Sequence, residues 1–279
     1  MLKIVTDSVS DIPIEVVQNL DITVVPLVIH FGIETFRDGI DIGRDEFYSR
    51  LQAASILPKT SSPSTGTFAE TFDRLGEENN EILGVFLSQK FSATYGTALQ
   101  SLGIMKSTCR IKVLDSTLGA MGQGLLVIEA AKKAQTSAGL DEVVQYLYEI
   151  IPQIQVRASL SNLKYLAKGG RIGKAQALLA STLRINPILG IRDGEAFPIT
   201  KLRSREKVTE WLYKYILSFK NIKAIAIEYG TNQREALRLK DRVANRFPDT
   251  PLYVSQINPV IGTHTGPESL IVSVLSGDN

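Results

Sequence analysis

One of the two histidines in the chain, His264, lies in the short polar segment VIGTHTGPES at residues 260–269. A histidine in this setting could act as a general base, a metal ligand or a hydrogen-bond donor to an anion. No cysteine or second histidine stands at a metal-ligand spacing from His264, so the sequence indicates no metal site. His30 lies within the apolar stretch LVIHF, which indicates a hydrogen-bonded histidine in the core or at a sheet edge.

A serine hydrolase is one function that His264 could serve. Ser92 and His264 would form its nucleophile and base if the fold brought them together. The chain has no G-x-S-x-G elbow, and no acidic partner can be assigned from the sequence. We keep this hypothesis as an alternative for the structure to test.

Small polar residues follow four predicted strand ends, at residues 6–8, 59–68, 89–96 and 117–124. Ligands of open α/β sheets gather at the carboxyl ends of the strands, so these segments would together line one rim with hydroxyl and N–H groups. Such a rim suits an anionic or carbonyl oxygen, and a small-anion (phosphate) binder is a further alternative. A P-loop and a dinucleotide fingerprint are not indicated, because neither KGGRIGKAQ nor GAMGQG has the required spacing.

The composition indicates a cytoplasmic α/β protein of two parts. The chain has 279 residues, 44% of them hydrophobic, and 31 Lys and Arg against 29 Asp and Glu give a charge of only +2. A charge this small excludes a strongly basic surface for nucleic acid or membrane. Polar residues interrupt the N-terminal apolar stretch, so we expect no secretory signal and no membrane span. The single cysteine, Cys109, has no disulfide partner, and we expect it to be a small buried residue.

Short apolar runs alternate with amphipathic stretches, which is typical of a parallel sheet with crossover helices. TVVPLVIHF at residues 23–31 is predicted as one strand, and Thr67 with Glu70 is predicted as a capping box. Asp193-Gly194 predicts a hairpin turn between PILGI and EAFPITKL. We expect an N-terminal domain at residues 1–157 and a C-terminal domain at residues 158–279.

Five motifs are spread along the chain: TDS at 6–8, TSSPS at 60–64, LSQKFSATY at 87–95, LAKGGRI at 166–172 and PVIGTHTGP at 259–267. In order and spacing they together resemble the motifs of the DegV family of bacterial fatty-acid-binding proteins. The resemblance covers nearly the whole chain, and KGGRI and GTHTGP are its most specific parts. It implies two α/β domains, an N-terminal one with a parallel sheet and a C-terminal one with a mixed sheet, and a single long-chain acyl group in a tunnel between them.

The resemblance also assigns roles to individual residues. It implies that Thr60 and Ser92 bind the ligand carboxylate, with His264 in the same network, either donating to the ligand or fixing the Ser92 hydroxyl. Ala93 stands where the family usually has glycine, and a left-handed backbone there would be strained. The supporting residues are expected to be Ser61, Ala93, Thr263 and Thr265, and residues at the surface or mouth of the tunnel, where a kinase would face them, are expected to be Asp38 and Arg171.

The family's fatty-acid binders do not catalyse alone, and the resemblance implies the same of this chain. They present the acyl carboxylate to a separate ATP-dependent fatty acid kinase, which makes an acyl-phosphate. The expected ligand is a long-chain fatty acid such as palmitate, stearate or oleate, with no other cofactor, and the expected state is a monomer. At about 0.8 kcal/mol per buried methylene, a chain of about 16 carbons would contribute on the order of 10 kcal/mol before ordering costs, so the carboxylate contacts set orientation more than affinity.

Overall fold

A computed structural model of the chain describes residues 2–179 and 185–277. Within these residues the chain forms an N-terminal four-stranded sheet, a small three-stranded sheet and a C-terminal six-stranded sheet. The strands are β1 (Leu2–Asp7), β2 (Thr23–Val25), β3 (Val28–Phe31), β4 (Glu34–Arg37), β5 (Lys59–Ser61), β6 (Glu81–Phe86), β7 (Arg110–Asp115), β8 (Ile154–Ser159), β9 (Asn186–Arg192), β10 (Glu195–Leu202), β11 (Ile222–Tyr229), β12 (Leu252–Gln256) and β13 (Leu270–Ser276). The helices are α1 (Ile14–Asn19), α2 (Arg44–Ala53), α3 (Thr65–Gly76), α4 (Thr94–Ser101), α5 (Met121–Gln135), α6 (Leu140–Ile150), α7 (Lys164–Gly169), α8 (Arg205–Leu217), α9 (Gln233–Arg246) and α10 (Pro259–Thr265).

The N-terminal sheet is parallel throughout, in the order β2-β1-β6-β7, and confirms the predicted fold class. Its inner strand β6 is an almost continuous apolar run, as is usual for parallel strands that are covered on both faces. The carboxyl ends of these strands meet along one edge, which is where three of the four predicted polar segments lie, whereas the segment at residues 59–68 starts with β5 of the three-stranded sheet.

The three-stranded sheet was not predicted, and it arises because Pro26 lies within the segment predicted as one strand. A proline has no N–H for a sheet ladder, and the segment divides there into β2 and β3. β2 stays in the parallel sheet, whereas β3 pairs antiparallel with both β4 and β5. The register places Thr60 opposite Ile29. This small sheet therefore fixes the position of Thr60.

The C-terminal sheet is mixed, in the order β10-β9-β8-β13-β11-β12. The predicted hairpin joins β9 and β10, and both turn residues, Asp193 and Gly194, have positive φ, as a tight hairpin turn requires. β8 starts at Ile154, so the expected division between residues 157 and 158 falls inside a strand of this sheet. We propose that the C-terminal domain starts at Ile154.

Helix α5 lies between the two large sheets and contacts β1 and β6 on one side and β8, β11 and β13 on the other. One apolar cluster therefore includes side chains from both sheets, such as Ile4 and Ile271 around Leu125. Burial of this shared apolar surface holds the two sheets at a fixed separation.

Two local predictions were wrong. Helix α3 is capped by Ser64, whose Oγ accepts the Thr67 N–H at 3.0 Å, and not by a box that starts at Thr67. Cys109 is half-buried and precedes β7, and does not lie fully inside the core. Among the described residues, no helix is both long and apolar enough to cross a membrane.

Candidate functional site

A cavity of about 330 Å³ lies between the two large sheets. This volume is near the lower end of the range of about 300–1,000 Å³ that is usual for small-molecule sites. Most of its lining is apolar and comes from both halves of the chain. The lining includes Val9, Leu87, Val156, Leu160, Leu189 and Ile271.

Polar residues also line this cavity, and two of them are joined by a hydrogen bond. His264 Nε2 and Thr60 Oγ1 form a hydrogen bond of 2.8 Å. Arg171 donates from Nε to the carbonyl oxygen of Phe91 at 3.0 Å, and Ser92 is the next residue. The cavity therefore has long apolar walls and one polar end, which matches an amphipathic ligand.

An outer cleft of about 550 Å³ shares Thr60, Arg171 and His264 with the cavity. These three residues accordingly lie where the cavity opens outward. Lys59 and Lys168 also line the cleft, and its lining includes no acidic residue among those the structure describes. The opening is therefore electropositive, which favours an anionic group there.

Strand alternation separates the hydroxyls of Thr60 and Ser61. Neighbouring side chains on a strand point to opposite faces, and Ser61 Oγ lies 3.0 Å from His30 Nε2 while Thr60 meets His264. The other ring nitrogen of His30 is 3.1 Å from Thr35 Oγ1. His30 is thus hydrogen-bonded, as predicted, but it is half-buried on the middle strand of the three-stranded sheet, and not in the core or at a sheet edge.

His264 lies in the last turn of α10, a helix that the sequence analysis did not predict. Asn258 caps the helix by accepting the Ile261 N–H at 2.9 Å, and Pro259 occupies the first helical position. Asn followed by Pro is a recognised helix start, and this signal was missed. Gly266, at a φ of 84°, ends the helix.

The partner of His264 is Thr60, and not Ser92. The Ser92 Oγ lies 2.8 Å from Thr94 Oγ1 and also accepts the Thr94 N–H at 3.3 Å. The prediction that His264 fixes the Ser92 hydroxyl was therefore wrong. Sequence distance concealed the true pair, because Thr60 and His264 are 204 positions apart.

Burial, and then the positive charge of Arg171, lower the pKa of His264 to about 4. The ring is therefore neutral near pH 7 and carries one proton. Its Nδ1 has no hydrogen-bond partner among the described residues, so a proton there would leave a buried donor unpaired. We assign the proton to Nε2, which then donates to Thr60 Oγ1. The Thr60 hydroxyl proton remains available for an oxygen atom in the cavity.

The two glycines of KGGRI are each required for a different structural reason. A Cβ on Gly169 would overlap the imidazole of His264 at Nδ1. Gly170 ends α7 in the left-handed conformation, at a φ of 71°, where a side chain would be strained. Gly169 thus makes room for His264 and Gly170 turns the chain, so that Arg171 enters the cavity wall.

Arg171 is half-buried at the opening, beside His264. Its NH1 donates to the Gly169 carbonyl oxygen at 2.6 Å, in addition to the Phe91 contact. No carboxylate among the described residues pairs with it. Its charge is therefore available to an anion at this end of the cavity.

Asp38 is only 4% exposed, so the prediction of a surface or mouth position was wrong. It lies in a cluster of buried carboxyl groups away from the opening. Burial raises its pKa to about 7, partly opposed by a hydrogen bond with Ser8.

The remaining expected residues occupy different positions. Ala93 has a right-handed backbone, with φ −73° and ψ −1°, so the expected strain does not arise. It lines the cavity with Ser92, and so does Thr265. Thr263 is 3% exposed and its hydroxyl donates to the Pro259 carbonyl oxygen within α10 at 2.9 Å, so it braces the helix.

Three of the four predicted polar segments line the cavity. They contribute Thr60, Ser92 and Ala120, among others, whereas the segment at residues 6–8 does not line it and only the following Val9 does. Ser62 also lines the cavity and was not singled out from the sequence. Thr60, Ser61 and Ser62 are three consecutive hydroxyl residues, and the sequence does not show that strand β5 ends at Ser61.

The geometry does not favour a serine hydrolase. His264 Nε2 is engaged by Thr60, its Nδ1 meets no orienting carboxylate, and its lowered pKa makes it a weak base. Among the described residues, no group of three or more His, Cys, Asp or Glu side chains is arranged to hold a metal ion.

Comparison with known proteins gives one consistent family. The model of the DegV family, described as uncharacterised proteins, matches residues 1–277. A DegV domain-containing protein of Caldanaerobacter subterraneus subsp. tengcongensis is 34% identical over 272 residues, covering 96% of each chain. One from Halalkalibacterium halodurans is 32% identical over 277 residues, covering 98% of this chain and 97% of its own.

Solved structures show the same fold at lower identity. A DegV family protein from Thermus thermophilus, described by its fatty acid binding, has a TM-score of 0.91 at 27% identity, and 99% of each chain is covered. A stearic acid-binding protein from Eubacterium ventriosum has the same score and identity, covering 99% of this chain and 98% of its own. On the evidence of the full-length match and these relatives, the chain belongs to the DegV family.

Proposed function

We propose that this protein binds one long-chain fatty acid in the cavity, with its carboxylate at the end formed by Thr60, Ser92 and His264. The observation that carries the proposal is the cavity itself, with apolar walls from both large sheets and a single polar, positively charged opening. The fatty acid binding described for the Thermus and Eubacterium relatives supports the same ligand class.

The proposed head-group contacts follow from the available donors. The Thr60 hydroxyl accepts from His264 and donates to one carboxylate oxygen, while Ser92 and the Ala93 N–H are within the lining beside it. Arg171 contributes the charge that a buried carboxylate requires. His264 thus acts through Thr60 and does not exchange protons with the ligand.

The proposed role is presentation, and not catalysis by this chain. A separate ATP-dependent kinase would transfer the γ-phosphoryl group of ATP to the exposed carboxylate, which yields an acyl-phosphate and ADP. The electropositive cleft outside Thr60, Arg171 and His264 supports this, since it would lead phosphates to the carboxylate.

Mass spectrometry of the denatured protein, purified from a bacterial host, tests the ligand class. We expect one acyl species per chain. Protein free of acyl species that also fails to take up added palmitate, stearate or oleate would contradict the proposal. A thermal-shift panel in which phosphate stabilises the protein and fatty acids do not would favour the small-anion binder.

Substitution of the hydroxyl donors tests the head-group assignment. Thr60→Ala together with Ser92→Ala should weaken fatty-acid binding by about 100-fold, since each hydrogen bond to a charged group contributes about 1.5 kcal/mol or more. Thr71→Ala with Ser218→Ala is the matched control, because these hydroxyls bond only helix carbonyl oxygens, those of Thr67 and Tyr215. Equal affinities in the two double variants would reject the assignment.

An acyl-phosphate assay tests the presentation. The protein loaded with palmitate, a bacterial fatty acid kinase and ATP should give an acyl-phosphate, which hydroxylamine traps as the hydroxamate. Product formed by the loaded protein and ATP alone would contradict a non-catalytic role.

A further inference from the structure

A cluster of interacting, buried carboxyl groups includes Asp11, which binds the residue that caps the N-terminal end of α10. Asp7, Asp11, Asp38 and Glu228 are each at most 4% exposed. The one ion pair that these four make within the described residues joins Asp11 to Arg44, at 3.1 Å. Four acids with one cation cannot all be ionised in a buried site at acceptable cost.

Asp11 anchors the segment that starts α10. Its carboxylate accepts the Asn258 N–H at 3.0 Å and the Asn258 Nδ2 at 3.0 Å. Asn258 in turn caps α10 through Ile261. Since Asp11 follows β1 and α10 belongs to the C-terminal part of the chain, this contact joins the two halves.

Helix α2 holds the same segment from a second direction. Arg44 donates to the Gln256 carbonyl oxygen, and the Tyr48 hydroxyl donates to the Ile257 carbonyl oxygen at 3.1 Å. The two residues before Asn258 are therefore fixed through their backbone. The position of α10, and with it that of His264 at its other end, depends on this cluster.

Glu228, on β11, completes the anchor. Its Oε1 accepts the N–H of Met121, the first residue of α5, at 3.1 Å. Its carboxyl group adjoins that of Asp11, and Oε2 has no other partner among the described residues. A proton on Oε2 would allow it to donate to Asp11, whereas two ionised carboxylates would repel each other there.

We propose that Asp11 and Glu228 share one proton and act as a positioning pair for α10, so that His264 and the Thr60 hydroxyl keep their geometry only while this proton is bound. The proposal deepens the proposed function, because it makes the carboxylate end of the cavity sensitive to pH. Burial raises the pKa of Asp11 to about 6 and that of Glu228 above its usual range, which agrees in direction with a shared proton.

Other titratable groups face the pair from every element around it. They are Asp7 at the end of β1, Asp38 after β4, Arg44, Asp45 and Tyr48 on α2, and Tyr229 beside Glu228 on β11. Of these, Asp38 is the closest rival, since its pKa is also raised, to about 7. It bonds to Ser8 and makes no hydrogen bond with α10 or Asn258 among the described residues, so Asp38→Asn is a matched control.

Histidine NMR on the ligand-free protein provides the test, because the chain has only two histidines. The pKa of His264 is lowered to about 4, so a step in its ring signal as the pH rises above about 6 cannot come from its own protonation. We expect such a step in the wild type and in Asp38→Asn. We expect none in Glu228→Gln, whose amide can donate to Asp11 at any pH.

Binding of oleate gives the second measurement. The wild-type Kd should rise about tenfold across the pH step that the His264 signal shows above about pH 6, whereas Glu228→Gln should keep the low-pH affinity within about twofold across the same range. Identical pH profiles in wild type and Glu228→Gln, by NMR and by binding, would overturn the positioning pair.

The two measurements separate the two proposals. A step in the His264 signal that Glu228→Gln abolishes, in a protein that binds no fatty acid at any pH, would support the positioning pair and overturn the proposed function. Fatty-acid binding without any such step in the His264 signal would support the proposed function and overturn the positioning pair.

Discussion

The two ends of helix α10 are both polar and largely buried, but their polar groups are used differently. At the C-terminal end, Thr60 and Arg171 keep donors that the protein does not engage, and they face a cavity. At the N-terminal end, Asp11 is occupied by Asn258 and Arg44 and lines neither the cavity nor the outer cleft. The first end can bind a ligand, whereas the second binds the helix itself.

The same physical cause moves the pKa values at the two ends in opposite directions. Removal from water disfavours the charged form, which lowers the pKa of His264 to about 4 and raises that of Asp11 to about 6. A shifted pKa therefore does not distinguish a binding site from an anchor. What distinguishes them is a free donor at a cavity opening.

The largest expected effect concerns the anchor. Asp11→Ala would leave the Arg44 guanidinium and both Asn258 donors without their partner, which should lower the free energy of unfolding by about 3–5 kcal/mol in urea denaturation. Thr60→Val, at the other end, should cost about 1–3 kcal/mol, since one buried N–H of His264 loses its acceptor. Equal losses of unfolding free energy in Asp11→Ala and Thr60→Val would show that the N-terminal end of α10 is no more an anchor than the C-terminal end.

The pH dependence of stability provides the next effect. The pKa of Asp38 is raised from 3.8 to about 7, so its native form binds the proton more tightly than the unfolded chain does. The contribution of Asp38 to the free energy of unfolding is therefore fully present below about pH 4 and is lost as the pH rises through about 7. This loss amounts to roughly 2–4 kcal/mol. In Asp38→Asn, the free energy of unfolding measured by urea denaturation should fall less between about pH 4 and about pH 7. An unchanged slope of the free energy of unfolding against pH would show that Asp38 does not cause this pH dependence.

A smaller effect is expected from Gly169→Ala. The added Cβ would overlap the His264 imidazole, displace it from Thr60 and weaken fatty-acid binding by about tenfold in titration calorimetry. Gly96→Ala is the matched control, because a Cβ at Gly96 meets open space. Equal affinities in the two variants would mean that the imidazole position does not matter for binding.

The smallest effect should follow Arg171→Gln. Burial is the larger cause of the lowered pKa of His264 and the charge of Arg171 is the smaller one, so the pKa should rise by less than about one unit. NMR titration of the His264 ring measures this. A rise to the ordinary value would show that the charge, and not burial, keeps the ring neutral.

Much of the fold could be predicted from local patterns. The parallel strands follow from apolar runs such as β6, and the β9–β10 hairpin follows from Asp193-Gly194, because each depends on neighbours in sequence. The three-stranded sheet could not be predicted in this way. Its strand β3 was read as a continuation of β2, and its partner β5 lies about 30 positions further along the chain.

The sequence by itself determined which groups are available: the hydroxyls of Thr60 and Ser92, a single imidazole in a polar segment, and two adjacent glycines before Arg171. Only the tertiary structure decided that His264 meets Thr60 and not Ser92, that Gly169 makes room for the ring, and that Asp38 is buried. The reason is physical. Each of these outcomes depends on how the sheets pack around α10, and hydrogen bonds between residues 204 positions apart leave no periodic signal in the chain.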